Sequence, residues 1–197
     1  MSETAIRTVD ADGNDRIGDW IQLISGRPFW PLDPHLSDIH IGDIAWALSM
    51  QCRYAGHVKR FYSVAEHSVL VSCTVPPEHA LWGLLHDATE AYLVDLPRPI
   101  KRCIPEYRVI EDRLAEHIAK RFDLCWPMPT EVKAADTAAL HTERAALLAP
   151  SMKPWGIGQQ ASASERPGVA TWVLGLSPEQ AHLAFLDRFA ALSRGDS

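Results

Sequence analysis

The stretch Trp82-Gly83-Leu84-Leu85-His86-Asp87-Ala88-Thr89-Glu90-Ala91-Tyr92-Leu93-Val94-Asp95-Leu96-Pro97-Arg98-Pro99-Ile100-Lys101 decides how this chain is read. An apolar run delivers His86 and Asp87 side by side, Glu90 follows one helical turn later, and Asp95 stands just ahead of a Leu96-Pro97 break. On a helix His86 and Glu90 are i,i+4 neighbours, and Asp87 lies three residues before Glu90. Three polar side chains then crowd one end of an otherwise buried helix, where each needs a partner or a ligand. A divalent cation suits them, since imidazole and carboxylate are ordinary metal ligands.

Two further segments supply matching groups. Upstream, Phe61-Tyr62-Ser63-Val64-Ala65-Glu66-His67-Ser68-Val69-Leu70-Val71 reads as a helix, with Ser63 at the N-cap and Glu66 at N3 in the spacing of a capping box. Val64, His67, Leu70 and Val71 share its inner side, so His67 points inward. Alone, such a histidine is more often a hydrogen-bonded core residue; its value comes from what else points there. A turn at Pro76-Pro77 closes a helical hairpin that sets His67 opposite His86-Asp87. Downstream, Thr130 caps a predicted helix over 131–140 that carries Asp136 among small residues permitting close helix packing.

Around these lie less pointed elements. Residues 1–16 form a loose lead-in. Trp20 to Ile24 is a short strand or a helical turn, and Ser25 to Pro34 a proline-constrained loop whose Phe29 and Trp30, with Trp20, are read as core or wall residues ahead of a base stack. A helix is expected from about His40 to Cys52. It is followed by Arg53-Tyr54-Ala55-Gly56-His57-Val58-Lys59-Arg60, either a plain surface loop or one in which Arg53 meets a phosphate. A further helix spans Pro105 to Phe122, with Ile110, Leu114, Ile118 and Phe122 on its apolar stripe and His117 outside it. Residues 150–169 suggest a long loop. Ser177-Pro178-Glu179-Gln180 opens a last helix with an N-cap, proline at N1 and Gln180 at N3, docking through Ala181, Leu183, Phe185, Leu186, Phe189 and Leu192.

The 197 residues, 47% of them hydrophobic and seven of them tryptophan, suffice for one domain with a sizeable core. We expect a single domain over 1–197: an all-α helical bundle with its catalytic core at about 40–142 and a metal site between helices. Nineteen basic against 25 acidic residues, a formal charge of −6, argue against an extended nucleic-acid surface but not against a nucleotide ligand. Cys52, Cys73, Cys103 and Cys125 have no paired zinc or redox spacing. There is no signal pattern and no apolar run near 18 residues, so we expect reduced, mostly packed thiols in a cytoplasmic protein away from membranes.

His67, His86, Asp87 and Asp136 together offer two nitrogens and two carboxylates from three helices. Such a set suits Mn, Co, Fe, Ni or Zn and leaves positions for water and substrate; Mg, which prefers oxygen, suits it less. Glu90, not needed as a ligand, can orient water or relay its proton.

These residues resemble the scattered H…HD…D motif of the HD-domain metal-dependent phosphohydrolases. The strings SVAEHS (63–68), HDATEAYLVDLPRPIK (86–101) and KAAD (133–136) are similar to the branch containing bacterial deoxynucleoside 5′-monophosphatases, over roughly residues 53–140. The resemblance implies metal ligation by His67, His86, Asp87 and Asp136, and water activation by Glu90. It further implies a role for Asp95 at the sugar hydroxyl and leaving group, and phosphate contact by Arg53 and His57. It implies a homodimer or higher homo-oligomer. The 19 positions from His67 to His86 are fewer than in that branch, and FYSVAEHS also resembles compact HD triphosphohydrolases that remove triphosphate from dATP. There Arg53, His57, Lys59, Arg60 and Lys101 would serve the longer polyphosphate. Hydrolysis of deoxynucleoside 5′-monophosphates is the leading expectation. Triphosphate hydrolysis and a catalytically idle structural or regulatory HD protein are the alternatives.

Overall fold

A computed structural model describes residues 6–10, 12–153 and 173–194. Most of the expected 150–169 loop, and part of the expected lead-in, lie outside the described residues. The fold is mainly helical, with two short antiparallel β-ribbons near the N-terminus. No helix among the described residues is long and apolar enough to cross a membrane. The chain divides into two compact units, residues 1–47 with 88–127 and residues 48–87 with 128–197.

In the first unit, β1 (Arg7–Val9) pairs with β2 (Asp15–Ile17), and β3 (Ile21–Gln22) with β4 (Pro28–Phe29). Within the Trp20–Ile24 segment only Ile21–Gln22 is strand, and the chain turns back through Gly26 at φ 81°, a backbone shape that glycine adopts without strain. Phe29 and Trp30 are buried as expected, Phe29 stacking on Tyr92 with ring centroids 4.1 Å apart. Trp20, by contrast, is 47% exposed: on so short a ribbon it has nothing to pack against. Arg16 is buried against the Trp30 face and neutralised by Asp33 and Asp38. The first unit also contains α4 (Glu90–Leu93), α5 (Arg98–Lys101) and α6 (Pro105–Arg121), the last close to its expected bounds and buried through Leu114 and Ile118. The unit boundary falls within α1 (Ile41–Met50).

The second unit is built on α2 (Val64–Thr74), α3 (Ala80–Leu85), α7 (Thr130–Leu147) and α8 (Pro178–Arg194). The α2–α3 hairpin is tight because Gly83 lets the helices touch: a Cβ there would lie 2.9 Å from Ser72 Cα and 3.0 Å from Val75 Cγ2. Ser63 caps α2 through the Glu66 N–H, but Glu66 does not complete the box. Its buried carboxylate instead accepts the backbone N–H groups of Leu174, Gly175 and Leu176, three donors that no local motif could match. The box at α8 is complete, Gln180 N–H donating to Ser177 Oγ and Ser177 N–H to Gln180 Oε1. Of its expected docking residues, Ala181 and Phe185 are fully buried whereas Leu183 is 60% exposed.

Helix α7 starts one residue earlier than expected, with Pro129 at the cap, and runs seven residues further. Thr130 is its first helical residue, and its hydroxyl bonds Glu131 instead of a backbone N–H. None of the four cysteines forms a disulfide among the described residues, but Cys73, Cys103 and Cys125 are exposed, since each lies on a solvent-facing position of a helix or turn and not on an apolar stripe.

Candidate metal centre

The α2–α3 hairpin brings the first two ligand candidates together. His67 is fully buried on α2, held inward by the apolar stripe it shares with Leu70 and Val71. His86 follows the last residue of α3. The helix does not continue to Glu90 as the i,i+4 reading supposed: residues 86–89 are turn, and α4 begins at Glu90. His86 Nδ1 donates to Gly83 O at 2.8 Å, competing for the carbonyl that the Asp87 N–H would use in a continuous helix. That bond also leaves His86 Nε2 directed at His67 Nε2, 3.1 Å away.

Asp87 Oδ2 lies 3.2 Å from His86 Nε2 and 3.6 Å from His67 Nε2. One ligand atom from each of His67, His86 and Asp87 falls within 4.8 Å of the other two, a spacing open to a single metal ion. Asp136, on α7, approaches His67 Nε2 at 3.2 Å and His86 Nε2 at 4.0 Å, and it is the most exposed of the four. Two imidazole nitrogens face each other with carboxylates on either hand, a donor set in which a cation is favoured. Without a metal a proton takes that place. Burial alone would lower the His86 pKa, but the charge and hydrogen bond of Asp87, with Asp136 behind them, push it up to about 9. Burial likewise opposes ionisation of Asp87, yet His86, His67 and Arg53 hold its carboxyl well below the usual range. Asp136 is also held down, against burial, by its hydrogen bond to His67 and the charge of His86. A metal ion would compete with that proton, so binding should release it.

Arg53 joins the cluster. Its guanidinium lies 3.4 Å from Asp87 Oδ2 and 3.1 Å from Glu143 Oε2, and the two acids raise its pKa despite burial. The backbone beyond it is strained. Tyr54 and Ala55 sit at φ 57° and 51°, left-handed values that cost on the order of 1–3 kcal/mol each for residues with a Cβ. The bend carries the Tyr54 hydroxyl to Glu143 Oε2 at 2.7 Å.

Glu143 was not singled out by sequence. Wholly buried on α7, it accepts hydrogen bonds from His67, Tyr62, Tyr54 and Arg53, and those donors and charges bring its pKa down to about 2 against the pull of burial. Its only local signal is an i,i+7 position relative to Asp136, which puts both on one side of α7.

The remaining candidates are placed differently. His57 is exposed at the end of the 3₁₀ turn Arg53–Gly56. Glu90 is half-buried as the first residue of α4. Asp95 is half exposed and paired with Lys101 Nζ at 2.8 Å; the same ammonium reaches Glu111 at 2.8 Å. Val94, just before Asp95, has φ 59°, unusual for a β-branched residue, and the Tyr107 hydroxyl donates to the carbonyls of Leu93 and Val94.

Over 174 residues the chain is 41% identical to the uncharacterized protein YfdR of Escherichia coli K12, spanning 88% of this chain and 96% of that protein. It is 37% identical over 138 residues to the uncharacterized protein RCAP_rcc00048 of Rhodobacter capsulatus, spanning 63% of this chain and 70% of that protein. No protein-family profile matches the sequence. The chain belongs to the family that contains these two proteins.

Proposed function

We propose that this member of the YfdR family is an HD-domain metal-dependent phosphohydrolase that cleaves deoxynucleoside 5′-monophosphates to nucleoside and inorganic phosphate. The observation that carries the reading is the convergence of His67 Nε2, His86 Nε2 and an Asp87 oxygen within 4.8 Å of one another. His67, His86, Asp87 and Asp136 would hold a divalent Mn, Co, Fe, Ni or Zn ion. Bound there, such an ion supplies Lewis-acid chemistry, polarising a phosphoryl oxygen and making water more acidic.

The chain's own residues divide the remaining work. Arg53, permanently charged and fixed beside Asp87, offers its guanidinium to a non-bridging phosphate oxygen. Glu90 is the carboxylate assigned to take the proton from the attacking water. Asp95 is assigned to the sugar side, where it would steady the leaving oxygen. The substrate is a small nucleotide, and a cytoplasmic homo-oligomer is the form in which we expect the enzyme to work.

We favour a monophosphate over a triphosphate on the complete EHS…HDxxExxxxDLPxPxK pattern, with Arg53 held beside the metal candidates to meet one phosphoryl group. Further phosphates need further donors, because their oxygens cannot be left unpaired. Lys101 is already matched by Asp95 and Glu111, and Arg60 Nη2 donates to Val173 O. Incubating the purified protein with dAMP and, separately, dATP over a panel of divalent metals tests the choice. Deoxyadenosine and inorganic phosphate from dAMP are expected; tripolyphosphate from dATP, with dAMP untouched, would overturn it.

A further inference from the structure

Glu143 stands two helical turns beyond Asp136 on α7 and is completely buried. A buried carboxylate survives only if its lone pairs are met, and here four donors meet them. Oε1 accepts from His67 Nδ1 at 2.6 Å and from the Tyr62 hydroxyl at 3.0 Å. Oε2 accepts from the Tyr54 hydroxyl at 2.7 Å and from Arg53 Nε at 3.1 Å. The first oxygen thus serves a metal-ligand candidate and the second the arginine beside it.

We propose that Glu143 is a positioning residue that keeps the His67 proton on Nδ1, turns the Nε2 lone pair toward the metal cluster, and anchors Arg53 next to it. The inference rests on the metal-dependent reading above and adds a residue to it. An ionised carboxylate can only accept, so the ring nitrogen facing Glu143 must donate, and a cation takes the other nitrogen in place of the proton it shares with Asp136. A carboxylate behind a ligating imidazole also raises the basicity of that ring. The two strained residues, Tyr54 and Ala55, fit the same purpose, because their left-handed backbone delivers the Tyr54 hydroxyl to Oε2. Glutamine is not equivalent: with its oxygen toward Arg53, its amide nitrogen would face His67 Nδ1 and favour the opposite tautomer. Asp136 and Asp87 approach His67 only from the Nε2 side, so neither can substitute.

The test measures Co²⁺ binding to folded wild type, Glu143→Gln and Tyr62→Phe by titration, with inorganic phosphate added in a second series. Glu143→Gln should weaken Co²⁺ about 10–100-fold, the usual effect of losing such a partner, and should weaken phosphate as well. Tyr62→Phe, which removes a donor to Glu143 but leaves its bond to His67, should bind Co²⁺ much as wild type does. Equal Co²⁺ affinity in folded Glu143→Gln and wild type overturns the proposal. Long-range ¹H–¹⁵N spectra of metal-free wild type decide the matter even if that variant does not fold. At a pH where the His67 ring is neutral, the proton should be on Nδ1; a ring protonated on Nε2 instead overturns the assignment. Failure of wild type to bind any Co²⁺ would sink the metal-dependent reading, whereas the tautomer would still decide what Glu143 does.

Discussion

Arg53 and Lys101 were both candidates to meet phosphate, and both are cations facing two acids, yet they sit in unlike surroundings. Arg53 belongs to a buried set in which Asp87, Glu143 and His67 satisfy one another and the histidines still present nitrogens to a cation. Lys101 belongs to a partly exposed set in which Asp95, half exposed, and Glu111, itself largely covered, take up its charge. Buried ions are held because each has several partners that cannot leave, and breaking one such pairing typically costs about 3–5 kcal/mol. Solvent-facing pairs are screened and contribute about 0–1 kcal/mol. The first arrangement links the candidate ligands through shared buried partners, and the second joins α5 to α6 through a partly exposed bridge.

The sharpest way to break this contrast is to remove a ligand candidate from the buried set. His86→Ala should abolish stoichiometric Co²⁺ or Mn²⁺ binding and all hydrolysis while circular dichroism stays helical, since α2 and α3 still pack through Gly83. Metal analysis of the purified variant checks it, and undiminished metal content would dissolve the assigned set. Glu90→Gln comes next. It should keep its metal and lose roughly 10²–10⁴ of the rate, as expected for positioned proton transfer. Loss of metal along with rate would make Glu90 a ligand instead, and a normal rate at saturating substrate would remove it from the chemistry.

The smallest effect belongs to the surface bridge. Lys101→Ala should change unfolding free energy by no more than about 1 kcal/mol, read from denaturant curves, and leave Co²⁺ affinity unaltered. A raised KM for dAMP would sharpen the contrast by giving Lys101 a phosphate role; a stability loss comparable to a buried pair would erase it.

Legibility from sequence differed between the same two regions. The inward turn of His67 followed from the stripe Val64, Leu70 and Val71, and the hairpin that opposes it to His86 followed from the Pro76-Pro77 break. The candidate ligand types were legible because imidazole and carboxylate carry lone pairs suited to a metal wherever they stand in the chain. The end of α3 at Leu85 was not, because a side-chain bond from His86 to Gly83 O competes with the helix there. Nor was the Lys101–Asp95–Glu111 grouping, which depends on how α5 and α6 meet and not on either helix's periodicity.

By itself, then, the sequence determined most of the helices, much of their apolar faces, and which side chains carry metal-ligand chemistry. These are local matters of spacing, capping and residue chemistry. Only the tertiary structure decided that Glu143 would hold His67 across 76 positions and Arg53 across 90, and that Glu66 would leave its own cap for backbone 108 to 110 positions away. A buried carboxylate takes whatever donors packing brings within reach, and no pattern along the chain records which those will be.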